Sequence, residues 1–362
     1  AASDVYKRQK EDMLPFSVIE LIDSALMLAV ALSIAYISGD KLIYYGACVA
    51  FISVLTFFMK YGWCRYAYKD YCIQLNTYRG KFIIKEMVGF TGWNLFAGLA
   101  MIGRNQGVAV IINIFLGTIA NAAYGVANQI NGALGHFSAT FQKAINPQLM
   151  KSEGMNDRNR LFRISFISSK FSVLALAFFA VPFIMEMNEV LTLWLKDDIP
   201  PFTLKLAQYI LLLSITYQYS VGIMAAIQAT GKIRNYQIIM GSLLLMNVPI
   251  AYFILKMGYS VYYTTIAFVI LELISLCVRL FMANKLTGMS VKEYIQNVIQ
   301  PTMIIIVIPV IVAMIPHFVM SNSFLKLVIV CSIYCLLFAV LMFRFASVSY
   351  THLRAHETKA NL

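Results

Sequence analysis

The stretch SFLKLVIVCSIYCLLFAVLMFRF, Ser323 to Phe345, carries only two charges, Lys326 near one end and Arg344 near the other. A helix needs about 20 mostly apolar residues to cross the roughly 30 Å hydrocarbon layer of a bilayer. The alternative spanning structure, a barrel strand, would alternate apolar and polar residues. No such alternation is present, so the stretch reads as a transmembrane helix. Runs of the same kind recur along the chain and predict ten helices, near 14–38, 42–61, 87–115, 119–142, 164–187, 203–227, 235–256, 260–283, 298–318 and 324–345. The 362 residues are 60% hydrophobic and 13% charged, about half the charge of a soluble domain. That balance excludes a soluble enzyme and a disordered tail and points to an all-α, polytopic membrane helical bundle.

Lysine and arginine test the count, because cytoplasmic linkers carry their excess. Seventeen fall between helices two and three, four and five, six and seven, and eight and nine, against five in the odd-numbered linkers. Even-numbered linkers are therefore expected in the cytoplasm. The net charge of +12 lies beside spanning helices, so it reads as a topology signal with anionic headgroup contact rather than as a nucleic-acid surface. The six cysteines include Cys64 and Cys72 in an expected cytoplasmic linker, where thiols stay reduced, and no disulfide framework is expected.

The two ends stand apart. Written as GAT GTG TAT AAG AGA CAG, Asp4 to Gln9 has a reverse complement that encodes Val348-Ser349-Tyr350-Thr351-His352 when read from its third base. Residues 1–9 and 347–362 thus resemble sequencing adapters translated from opposite strands, and the native stretch is expected to be an internal piece of a longer protein. Such scars are set aside before the fold is argued.

Ionisable and amide side chains inside spanning helices are the candidates for function. Arg104 lies deep in the third helix, followed by Asn105, Gln106 and Asn113. It can line a central cavity or snorkel to a helix end. In the fourth helix Asn121, Asn128, Gly135 and Gln142 recur every seven residues, on nearly one face. Small residues between them leave close helix packing and cavity lining as equal readings. Glu20 and Asp23 on the first helix are candidates for binding a coupling ion or proton, with local solvation as the alternative, and Glu272, mid-way along the eighth and more open to the desolvation argument, is a third. Arg279, seven residues after Glu272, is placed near the cytoplasmic boundary, too far for a direct pair. No Gly-rich phosphate loop, HExxH, GxSxG or catalytic external loop is present, so neither an enzyme nor a cofactor or metal site is expected.

Five stretches, GFTGWNLFAGLA (Gly89 to Ala100), NQGVAVIINIFLGTIANAAYGVANQINGAL (Asn105 to Leu134), NPQLMKS (Asn146 to Ser152), LWLKDDIP (Leu193 to Pro200) and IQATGKIRNYQ (Ile227 to Gln237), occur in order. Together they resemble the oligosaccharide-flippase branch of the multidrug/oligosaccharidyl-lipid/polysaccharide exporter superfamily, of the type found in Bacteroidetes. The resemblance implies a MATE-like fold of two six-helix lobes around a cavity that opens alternately to each side. Residues 10–61 would be the last two helices of the first lobe, 62–86 a basic cytoplasmic linker, 87–283 the second lobe, and 298–346 two extra C-terminal helices. It also implies a flippase moving an undecaprenyl-pyrophosphate-linked oligosaccharide across the bacterial cytoplasmic membrane, with Arg104 at the pyrophosphate and coupling to Na⁺ or H⁺. A cation-coupled multidrug exporter of the same fold is the alternative, and a membrane polysaccharide polymerase or ligase a more distant one.

Overall fold

The computed structural model describes residues 14–34, 40–67, 81–196, 198–231, 233–321 and 323–360, with the side chains of all but 14, 81–86 and 345–360. The adapter-like 1–9 and Cys72 lie outside the described residues. Among the described residues all regular structure is helical. Eight helices are long and apolar enough to span a membrane, and a bent pair makes a ninth span. One of the eight is 68 residues long, about 100 Å if straight, and it is broken at Gly117; dividing it there gives ten. The chain is a multi-pass membrane helical bundle.

Two compact units are present. The first holds α1 (Leu14–Ser33) and α2 (Lys41–Ala67), which pack on each other with the Ser33 and Tyr44 hydroxyls 3.3 Å apart. Only 6% and 11% of their apolar windows is buried. Apart from Glu20 and Asp23 of α1, the apolar residues of both helices are spread over every face, as in a helix solvated by lipid.

The second unit begins with α3 (Lys81–Gly154), in which Gly117 has φ 78 and ψ −177. This is a region of backbone space that only glycine occupies without strain. The limbs on either side, 81–116 and 118–154, fold back on each other. Asn94 and Gly135 line the same cavity, although a straight helix would hold them about 60 Å apart. The remaining helices are α4 (Arg158–Met185), α5 (Met187–Leu195), α6 (Thr203–Gln218), α7 (Val221–Ala229), α8 (Arg234–Leu245), α9 (Asn247–Lys256), α10 (Val261–Thr287), α11 (Val291–Tyr294), a π turn at Ile295–Ile299, α12 (Gln300–Val319) and α13 (Phe324–Ala360).

The first limb of α3 climbs alongside α8 and α9. Asn94 meets Gln237 at 3.0 Å, Gly103 faces Leu245, and Phe115 packs edge-on to Tyr252. The second limb runs antiparallel to α4, through Phe137 on Phe179 and Phe141 on Phe171. Lipid supplies little hydrophobic drive for helices to associate, so close approach through small residues matters most. Gly222 of α7 provides it: its amide bonds to Ser169 of α4 at 3.0 Å, and a Cβ there would stand 2.0 Å from the Ser165 carbonyl oxygen.

Several expected boundaries move. The second helix runs on to Ala67, and the second limb of α3 continues to Gly154 instead of ending near 142. The expected sixth span is two helices, α6 and α7, bent by 40°. The seventh is broken at Met246, because Pro249 cannot donate to the carbonyl four residues back and its ring crowds it. The short amphipathic α5, which exposes Leu193 and Trp194, was not expected at all. Lys170 and Arg279 belong to helix interiors and Lys326 to the first turn of α13, and all three are buried.

Candidate functional site

Within the second unit a cavity of about 460 Å³ opens between α3, α6, α7, α8 and α10. The first limb of α3 lines it with Asn94, Ala97, Gly98, Met101 and Arg104, positions spaced so that they share one helix face. The second limb contributes Tyr124, Asn128, Asn131, Gly132 and Gly135. Gln218, Gln228 and Gln237 add amides from α6, α7 and α8, and Tyr217 and Tyr236 add phenols. Glu272 and Arg279 close the wall from α10.

Three of the residues singled out from sequence, Arg104, Asn128 and Glu272, therefore line one cavity. Gln142 sits at its edge, donating to the lining residue Gln218 at 3.1 Å. The remaining polar candidates on α3 are elsewhere. Asn105 and Gln106 are exposed, turned about 100° and 200° from Arg104, and Asn113 lies half a turn round the helix from it. Asn121 shares the face of Asn128 but is two turns nearer Gly117 and does not line the cavity. Glu20 is exposed and Asp23 half-buried on α1, in the first unit. Of the heptad positions Asn128 and Gly135 line the cavity, and a Cβ on Gly135, or on the neighbouring Gly125 or Gly132, would meet nothing within 4 Å.

Arg104 is half-buried, and no carboxylate among the described residues lies within ion-pair distance of it. Glu272 and Arg279, by contrast, pair directly: Arg279 Nη1 is 2.5 Å from Glu272 Oε1, with the side chains 2% and 6% exposed. The expectation that they were too far apart is corrected. Two helical turns separate their backbones by about 10 Å, but the long arginine side chain points back toward the helix N-terminus and covers that distance. The same Nη1 donates to Ser220 Oγ at 2.8 Å, and the guanidinium lies over the Tyr217 ring, 5.6 Å from its centre. Ser220 is placed by the break between α6 and α7. The Tyr219 carbonyl beside that break accepts from the Tyr294 hydroxyl, and the Tyr219 hydroxyl meets Thr302 Oγ1 at 3.0 Å.

Two buried polar atoms of the wall have no hydrogen-bond partner, Arg279 Nε and Asn131 Oδ1. Buried polar groups are nearly always satisfied, so this wall offers an unused donor and an unused acceptor. With two arginines against one carboxylate, its formal charge is +1. The arrangement suits a ligand that is anionic and rich in hydroxyls. The Asn94, Tyr124, Asn131, Tyr217, Tyr236 and Gln237 contributions escape a search for charge; only Asn94, Tyr124 and Asn131, on the same helix as Arg104 and Asn128, had a readable spacing relative to them.

A second charged cluster lies at the end of the bundle where α4 meets α5. Glu186, buried there, accepts from His317 of α12 across 2.7 Å through Oε1, while Lys326 of α13 stands 3.6 Å from Oε2. Glu186 thereby ties α12 and α13 to the end of α4. The chain matches no protein-family model, no curated protein and no solved structure.

Proposed function

We propose that the protein is a flippase for an undecaprenyl-pyrophosphate-linked oligosaccharide, with the cavity receiving the headgroup. The observation that carries this reading is Arg104, an arginine with no carboxylate partner among the described residues, facing a cavity inside a membrane bundle. An unpaired cation in such a place is costly, and an anionic ligand offsets that cost. The amides and phenols around it are the groups that hydrogen-bond sugar hydroxyls. In this reading residues 87–283 form one lobe of a MATE-like pair, which rocks to open the cavity to either leaflet of the cytoplasmic membrane. Even-numbered linkers face the cytoplasm, and a Na⁺ or H⁺ gradient drives the cycle.

A cation-coupled drug exporter would want a net negative, aromatic cavity. Glu272 and the tyrosines lean that way, but Arg279 neutralises Glu272. Deletion of the intact gene tests the proposal: lipid-linked oligosaccharide should accumulate on the cytoplasmic leaflet and surface glycan should fall. Complementation with Arg104→Ala should restore membrane insertion but not export. Normal glycan together with raised drug sensitivity would establish the exporter reading instead.

A further inference from the structure

Arg279 is held by groups that can let it go. Its partners in the wall are Glu272, Ser220, the Tyr236 hydroxyl and the Tyr217 ring, and its Nε has no hydrogen-bond partner. Of these only Glu272 is charged. Glu272 lies eleven residues into the 27-residue α10, hence close to mid-membrane. The groups that face the pair are few. Tyr217 of α6 and Tyr236 of α8 stand beside it, and Arg104 and Tyr124 of α3 lie on the same cavity wall. α7 has no titratable residue. Tyr252 and Lys256 of α9 meet one another 5.5 Å apart, toward the Gly117 end.

From this geometry we infer that Glu272 and Arg279 form an exchangeable ion pair that couples capture of an anionic headgroup to uptake of a proton. The inference rests on the anion-binding reading of the cavity. A phosphate oxygen entering beside Arg104 competes with Glu272 for the Arg279 guanidinium and gains its idle Nε donor. A guanidinium presents two parallel donors, a geometry that a phosphate matches at least as well as a carboxylate. Once Arg279 turns to the ligand, Glu272 is left as a lone carboxylate deep in the bundle. A charge in that position neutralises rather than remains, and no other cation of the wall replaces Arg279 beside it. It therefore takes one proton from cavity water. In the empty cavity the pair closes on itself, and Arg104 is the only cation on display.

The test uses the full chain in nanodiscs and a water-soluble probe, citronellyl-diphosphate-linked N-acetylglucosamine, whose diphosphate diester does not titrate near neutrality. Calorimetry in buffers of different ionisation enthalpy reads the protons exchanged on binding. Wild type should take up close to one proton per probe bound, and should bind more weakly as the pH rises. Glu272→Gln should bind about tenfold more tightly at about pH 8, within the usual range of coupling between sites, and should take up no proton. Proton uptake is read on the wild-type protein, so the outcome does not depend on how well the variant folds. Binding that requires Arg104 but exchanges no proton would overturn the exchange and leave the anion-binding reading standing. Binding that requires Na⁺ without proton uptake would also overturn it. No binding to wild type would overturn both.

Discussion

Gly222 shows how one missing side chain sets the distance between two helices. Its Cα lies so close to α4 that an added methyl would sit 2.0 Å from the Ser165 carbonyl oxygen. Gly222→Ala must push α7 away from α4 and loosen the amide bond to Ser169. Overpacking of this kind costs about 1–3 kcal/mol, so a clear fall in thermal unfolding temperature in detergent is expected. Gly125→Ala, with open space around it, should leave that temperature unchanged. Sequence reading favoured the wrong glycines here. Gly135 is a member of the seven-residue repeat and Gly125 and Gly132 stand among the small residues between its members, whereas Gly222 belongs to none, and its importance arises only when α7 meets the serine face of α4. Arg104 and Asn128 were legible because charge and amides are rare in apolar runs. Arg279 was misplaced because its position on the helix was read without the reach of its side chain.

Helices in this bundle are bent for two different reasons. The break at Met246 follows from Pro249 and was readable in the sequence. The 40° bend between α6 and α7 contains neither proline nor glycine at Tyr219 or Ser220 and depends on Tyr294 and Arg279, both distant in the chain. The C-terminal pair of helices is likewise fastened by distant groups, His317 and Lys326 on the buried carboxylate of Glu186. Removing that carboxylate takes away the acceptor that both His317 and Lys326 share in a buried place. Loss of one partner of a buried pair costs about 3 kcal/mol or more. Glu186→Ala should therefore loosen α12 and α13 from α4, seen as faster maleimide labelling of the half-buried thiols Cys331 and Cys335 of α13. Unchanged labelling would mean that apolar packing alone, such as Phe178 on Phe338, holds the pair.

For the whole molecule, the number of spans was legible and their sides are a prediction. Moving Lys170, Arg279 and Lys326 out of the linker count leaves fifteen basic residues on the even side and four on the odd. The asymmetry that sets orientation thus survives. Cysteines placed singly at Asn156 and Asp198, in a background lacking the native thiols, lie in linkers of opposite parity. A membrane-impermeant thiol reagent added to intact cells should label the Asp198 position alone, and both positions after lysis. Labelling of Asn156 alone in intact cells would invert the orientation. The cavity's composition could not be assembled from sequence, because its wall is drawn from five helices whose mutual rotation only packing decides.

The reversal at Gly117 has a consequence for how the chain can be cut. A protease needs several residues in extended form to occupy its groove, and a turn made at a single glycine between two helices supplies none. Added from that side of the membrane, a broad-specificity protease should pass over the tip of α3 and cleave instead in the irregular stretch around Asp198. It should leave 81–154 uncut, with the contributions of both limbs of α3 to the cavity wall on one piece.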